Sequence, residues 1–145
     1  MPRYFTREQA EGLLPVVQEA MRQAVSLKAL LDEAAAEVRA ETTRIMMAGG
    51  AVVRAEAVAS ARNRAQSLTP RLQDIVESVQ RHGCIVKDLD EGLVDFPTLY
   101  RGQEVYLCWK SGEPRIEFWH SMDEGFPGRK AVDDDFLQHH TGENR

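Results

Sequence analysis

Residues 83–129, GCIVKDLDEGLVDFPTLYRGQEVYLCWKSGEPRIEFWHSMDEGFPGR, decide what kind of molecule this chain makes. Upstream of them the apolar residues recur every three or four positions. Within them they alternate, or run in short blocks broken by glycine and proline, which is the pattern of strands and turns. The stretch holds both tryptophans, both cysteines and nine carboxylates. Four strand-like runs are expected, Cys84–Leu89, Leu93–Phe96, Gln103–Lys110 and Pro114–His120, forming a small antiparallel sheet of three or four strands.

Ser111-Gly112 has the form of a two-residue hairpin turn joining the last two runs. That turn would pair Lys110 with Glu113, Cys108 with Arg115, Leu107 with Ile116, Tyr106 with Glu117 and Val105 with Phe118. Val105, Leu107, Ile116 and Phe118 then share an apolar face, and alternation continues that face to His120 at the strand's exit. Trp119 falls on the opposite face with Glu117, and Cys108 faces away from His120. A histidine at the rim of a core face, next to the acidic MDEG turn, is a place where a ligand or proton-transfer site could be built.

Working outward, the N-terminal half predicts a long antiparallel helical hairpin over residues 6–82. Thr6 and Gln9 form a capping box, with Phe5 placed as its hydrophobic staple. Leu13, Val17, Ala20, Ala24, Leu27, Leu31, Ala34 and Val38 repeat at alternating intervals of four and three, a coiled-coil-like seam. A second seam runs through Val58, Ala61, Ala65, Leu68, Leu72, Ile75 and Val79. Gly49-Gly50 marks the reversal, and Gly83 the end. Pro15 is expected to break or kink the first helix at Leu14, and Thr69-Pro70 to split or kink the second, with Thr69 as an N-cap. Met21, Val25, Leu30 and Ala35 add an apolar stripe that one partner helix cannot cover. Either a second copy of the chain, giving a homodimer, or the sheet must do so.

The fold class is therefore α+β, one domain over residues 1–145: hairpin 6–82, sheet 83–129 and a flexible acidic tail 130–145. The last carries Asp133-Asp134-Asp135 and His139-His140. The net charge of −5 is uneven, +1 over residues 1–83 and −6 over 84–145. An acidic sheet half argues against a nucleic-acid surface there, which needs clustered Lys and Arg. No apolar run is long enough for a membrane helix. The opening MPRYFTREQAEG has no apolar core of a leader, and two cysteines without metal spacing suggest free thiols, so a reducing cytoplasm is the expected location.

Three kinds of chemistry can be weighed. A divalent-metal site would use Asp88 and Asp90, which share a face at i and i+2, with Asp95 and His120 from neighbouring strands; Lys87, Glu117, Trp119, Asp123 and Arg129 are further candidates. Mixed carboxylate and imidazole ligation suits Zn, Mn, Fe or Ni. The plain alternative is that KDLDEG is a solvated turn. Nucleophilic catalysis would use Cys84 or Cys108 with His120, although both cysteines sit in apolar runs and read as small core residues. Carboxylate acid–base work would use Asp88, Asp90 or Asp95 beside Lys87 or Arg129. No phosphate-binding glycine loop is present.

The segments YFTREQAEGLLP, GCIVKDLDEGLVDFP, VYLCWKSGE and IEFWHSMDEGFPGR together resemble a family of small uncharacterised bacterial and archaeal proteins, catalogued as a domain of unknown function. The resemblance covers nearly the whole ordered chain. It implies a standalone module whose distinctive residues lie in the sheet, and it carries over no activity, substrate or cofactor. The sequence thus leads to a cytoplasmic, self-associating binding or interaction protein with a polar site on its sheet. The competing reading is a metal-dependent, hydrolytic enzyme using Asp88, Asp90, Asp95 and His120. A third is an adaptor that docks on a protein partner through Trp119 and Glu117.

Overall fold

A computed structural model describes residues 3–47 and 55–142, and Gly49-Gly50 lies outside them. Helix α1 runs from Arg7 to Met47 and α2 from Ala55 to Gln80. The start of α1 is the reciprocal cap expected of its sequence: the Gln9 amide donates to Thr6 Oγ1 at 3.1 Å, and the Thr6 amide to Gln9 Oε1 at 2.9 Å. Val17, Ala24, Leu27 and Ala34 on α1 and Ala61, Leu72 and Val79 on α2 are buried, so both seams face inward.

Neither proline breaks its helix. Pro15 lies inside the 41 residues of α1, and Pro70 inside the 26 of α2. Thr69 is no N-cap; its hydroxyl donates back to the Ala65 carbonyl at 2.8 Å. An interior proline costs roughly 3 kcal/mol. Buried seam residues on both sides of each proline, Ala10 and Val17 around Pro15 and Ala61 and Val79 around Pro70, keep each helix continuous.

The sheet has six strands rather than three or four: β1 (Ile85–Asp88), β2 (Leu93–Tyr100), β3 (Gln103–Lys110), β4 (Phe118–Ser121), β5 (Lys130–Ala131) and β6 (His140–Thr141). Their order is β1-β2-β3-β4-β5, with β6 on β2 at Leu99 and Tyr100, beyond the end of β1. The Phe5 amide donates to the Pro97 carbonyl at 2.7 Å, tying the entry to α1 onto the same strand.

One face of the sheet, Val94, Phe96, Val105, Leu107 and Trp109, joins the helices in a single core with Phe5, Val17, Met21 and Val79. Burying each large apolar side chain is worth about 1.5–3 kcal/mol. The sheet also takes part of the surplus stripe on α1. Met21 is fully buried, and Val25 packs on the turn at Gly92, where φ of +78° and a Cβ position 3.2 Å from Val25 Cγ2 both favour glycine. Leu30 and Ala35 remain exposed.

The β3–β4 register differs from the expected one. Val105 pairs with Ser121, Tyr106 with His120, Leu107 with Trp119 and Cys108 with Phe118, a slip of three residues. Pro114 has no amide to give the ladder, so residues 111–117 leave the sheet. Glu113 takes over at the corner: its carboxylate accepts from the Lys110 amide at 2.7 Å, and its carbonyl from Trp109 Nε1 at 2.8 Å. Ile116 is buried outside any strand. Because three is odd, the slip turns every β4 side chain to the other face.

The segment after Arg129, expected to be a flexible tail, is built into the structure as far as Gly142. Lys130–Ala131 add β5, Asp133 caps the short helix α3 (Asp134–His139), and Phe136 is fully buried. One aromatic residue with a slot to fill outweighs the acidic surroundings. No helix among the described residues is long and apolar enough to cross a membrane.

Candidate metal centre

The turn Tyr100-Arg101-Gly102-Gln103 sets the geometry of the site. Arg101 and Gly102 both have positive φ, 52° and 80°, the conformation of a tight hairpin whose twist matches the strands. This turn fixes Asp95 opposite Cys108. The slipped register of β4 then brings His120 beside them on the sheet face away from the helices. His120 does not continue the core face with Ile116, and Cys108 does not face away from it.

Asp95, Cys108 and His120 are buried, and one donor atom from each lies within 4.8 Å of the others. His120 Nε2 is 3.0 Å from both carboxylate oxygens of Asp95. His120 Nδ1 is 2.8 Å from the Ser121 carbonyl oxygen. A carbonyl only accepts, so Nδ1 carries a proton. The ring's other nitrogen, Nε2, is thus taken up by the Asp95 carboxylate.

Cys108 Sγ lies within 4.8 Å of the Asp95 carboxylate and of the His120 ring nitrogen. Burial above all, and then the Asp95 charge, push this thiol up to about 12. Asp95 is the hub, and neither ring nitrogen is left to deprotonate Cys108. This geometry disfavours the cysteine–histidine nucleophile considered from sequence. Cys84 is remote from the cluster, its thiol directed at the Val79 carbonyl at 3.2 Å and pushed up to about 11 by burial.

A cavity of about 150 Å³ opens over the three side chains, walled by Lys87, Leu93, Tyr106, Met122, Gly125 and Phe126. Lys87 Nζ is 5.7 Å from the Tyr106 ring centroid, and the Tyr106 ring 5.6 Å from that of His120. The Tyr106 hydroxyl donates to Glu104 at 3.2 Å; burial first, and Glu104 next, raise it above its ordinary value.

Arg129 braces the strand beside Cys108. It donates to both Glu113 carboxylate oxygens at 2.7 and 2.9 Å and to the Cys108 carbonyl at 3.2 Å. Its guanidinium lies over Phe118 at 4.0 Å and Phe126 at 4.8 Å.

The other sequence candidates go elsewhere. Asp88 accepts from the Glu91 amide at 2.7 Å, and Asp90 pairs with Lys28 at 2.9 Å, so the two carboxylates do not converge on Asp95. Irregular pairing between Val86 and Asp88, a bulge, separates them. Glu117 and Asp123 are exposed. Trp119 turns to the helix side and stacks on Phe136 at 5.1 Å. His140 is spent on the backbone, accepting from the Arg7 amide at 3.0 Å, and His139 pairs with Asp135. Cys108, expected from sequence to face away from His120, is the residue that the structure adds to the cluster. The Arg101-Gly102 turn, counted outward, was the signal that pairs it with Asp95.

The chain belongs to a family described as an uncharacterized conserved protein (DUF2203), whose model matches residues 3–132. No curated protein and no solved structure matches it.

Proposed function

We propose that this protein binds one divalent transition-metal ion, of the Zn²⁺ class, through Asp95, Cys108 and His120. The observation that carries the proposal is the convergence of three unlike donors around a histidine whose other nitrogen is already tied down. Metal-bound histidine characteristically donates its second N–H to a carboxylate or carbonyl, as His120 Nδ1 does to Ser121. With bonds of about 2.0–2.3 Å, tetrahedral ligand atoms sit roughly 3.3–3.7 Å apart. The three donor atoms all lie within 4.8 Å of one another. A thiolate among the ligands disfavours Mg²⁺ and Ca²⁺. Three protein ligands with a fourth position open to a cavity is the arrangement of reactive rather than purely structural ions, which supports the metal-dependent enzyme reading with Cys108 in place of Asp88 and Asp90.

Thiolate ligation has a proton signature. The ion displaces the Cys108 thiol proton, so at least one proton leaves per ion. Calorimetry of Zn²⁺ binding in buffers of different ionisation enthalpy reads that number; a value near zero would exclude thiolate ligation. Cobalt substitution gives the direct test. The tag-free protein is expected to bind one Co²⁺ with a thiolate charge-transfer absorption. Cys108→Ser removes the band, and Asp95→Asn, which keeps the shape and can still hydrogen-bond His120, abolishes tight binding. Folded wild-type protein that takes up neither Co²⁺ nor Zn²⁺ would end the proposal.

Self-association through the hairpin is a second reading. It is favoured by Leu30, which is 47% exposed on α1 beside a groove of about 880 Å³ shared with Leu68 and Ala59 of α2. A second copy of the chain is the proposed occupant. Sedimentation equilibrium should show a dimer that Leu30→Glu dissociates; a wild-type monomer at high concentration would exclude it. The two free, buried cysteines fit a reducing cytoplasm as the place where either reading operates.

A further inference from the structure

Loading the centre balances its charge, two positive on the ion against the Asp95 carboxylate and the Cys108 thiolate. One charge on the cavity wall is then left over. Lys87 is exposed at the cavity, and among the described residues it makes no ion pair. Its sequence neighbour Asp88 is engaged with the Glu91 amide, and Asp95 is the only carboxylate among the cavity-lining residues. The rest of the wall is apolar or aromatic: Leu93, Met122, Phe126 and the Tyr106 ring. A cavity with one open metal position, one uncompensated ammonium and apolar sides matches one ligand chemistry.

Resting on the metal reading above, we infer that the open position takes a small monocarboxylate. One carboxylate oxygen meets the ion, Lys87 neutralises the charge, and the short hydrocarbon body lies on Met122 and Phe126. The volume of about 150 Å³ limits its size. That is room for a short acid such as acetate or propionate.

The experiment uses the Co²⁺-loaded full-length protein, titrated at constant ionic strength with sodium acetate, sodium propionate and the neutral isostere acetamide, followed by visible absorption. Acetate and propionate are expected to shift the cobalt bands saturably, and acetamide to leave them unchanged. Lys87→Met, a change at an exposed position, should weaken acetate binding by about ten- to a hundredfold, the scale of one hydrogen bond to a charged group. Acetamide acting as well as acetate, or Lys87→Met binding acetate like wild type, would overturn the inference while leaving the metal centre intact. Absence of the thiolate–cobalt band before any acid is added removes the metal centre itself, and this inference with it.

Discussion

At the scale of single residues, Cys108 shows how position rather than type sets chemistry. A thiol with an ordinary value of 9.0 is held up to about 12 by burial and by Asp95, and Cys84 up to about 11 by burial. In the metal-free protein neither is a nucleophile at neutral pH. Alkylation by iodoacetamide at pH 8 should run far below the rate of a free cysteine and rise to it on unfolding; fast native labelling would contradict the burial. The same shift makes a stability statement. From about 9 up to about 11 at Cys84 and about 12 at Cys108, the folded chain keeps a thiol proton that the unfolded chain has lost. Their contribution is therefore present below pH 9 and declines as pH rises through that window. Alkaline denaturation of Cys84→Ala alongside wild type should show a shallower decline in the variant. A metal ion bound as proposed would reverse the logic at Cys108 alone, because a coordinated thiol is deprotonated outright.

At the scale of elements, most of the fold was legible, and the failures have local causes. The capping box at Thr6 and Gln9, the two seams and the β3 limits could be read because each depends on contacts within a few residues. The β4 register could not. Val105, Leu107, Ile116 and Phe118 match just as well with a two-residue turn at Ser111-Gly112, and only the missing amide of Pro114 argues against it. Glu113 and Arg129, sixteen positions apart in sequence, then hold the longer corner in place. That one ambiguity hid the site, since it decides whether His120 and Cys108 share a face. Pro15 misled in the opposite direction, because a local penalty was judged without the packing that overrides it. Pro15 is exposed, so restoring an amide there should only help. Pro15→Ala is expected to raise stability by about 1 kcal/mol or more in urea unfolding, returning the Glu11 carbonyl its helical partner. A loss of stability would mean that the proline ring itself has a packing role.

At the scale of the whole molecule, the C-terminal segment closes the structure. It lies past residue 132, where the family match ends, yet it reaches back to both halves. Phe136 packs between Tyr100 at 4.8 Å and Trp119 at 5.1 Å and stacks on His140. Tyr100 and Arg101 both bond Asp135. His140 caps the start of α1, and β6 pairs with β2. The chain's end thus holds the entry of the long helix against the sheet, on the side of β4 opposite the Asp95 cluster. Phe136→Ala should cost about 3–5 kcal/mol, the range for emptying a buried aromatic site, and should alter Trp119 fluorescence in the folded state. Because Phe136 and His120 lie on opposite faces of the sheet, Co²⁺ uptake by the variant at low temperature should match wild type. Weakened metal binding in a still-folded Phe136→Ala protein would show instead that the two faces are coupled through β4, with Trp119 and His120 adjacent on the strand that carries the strain.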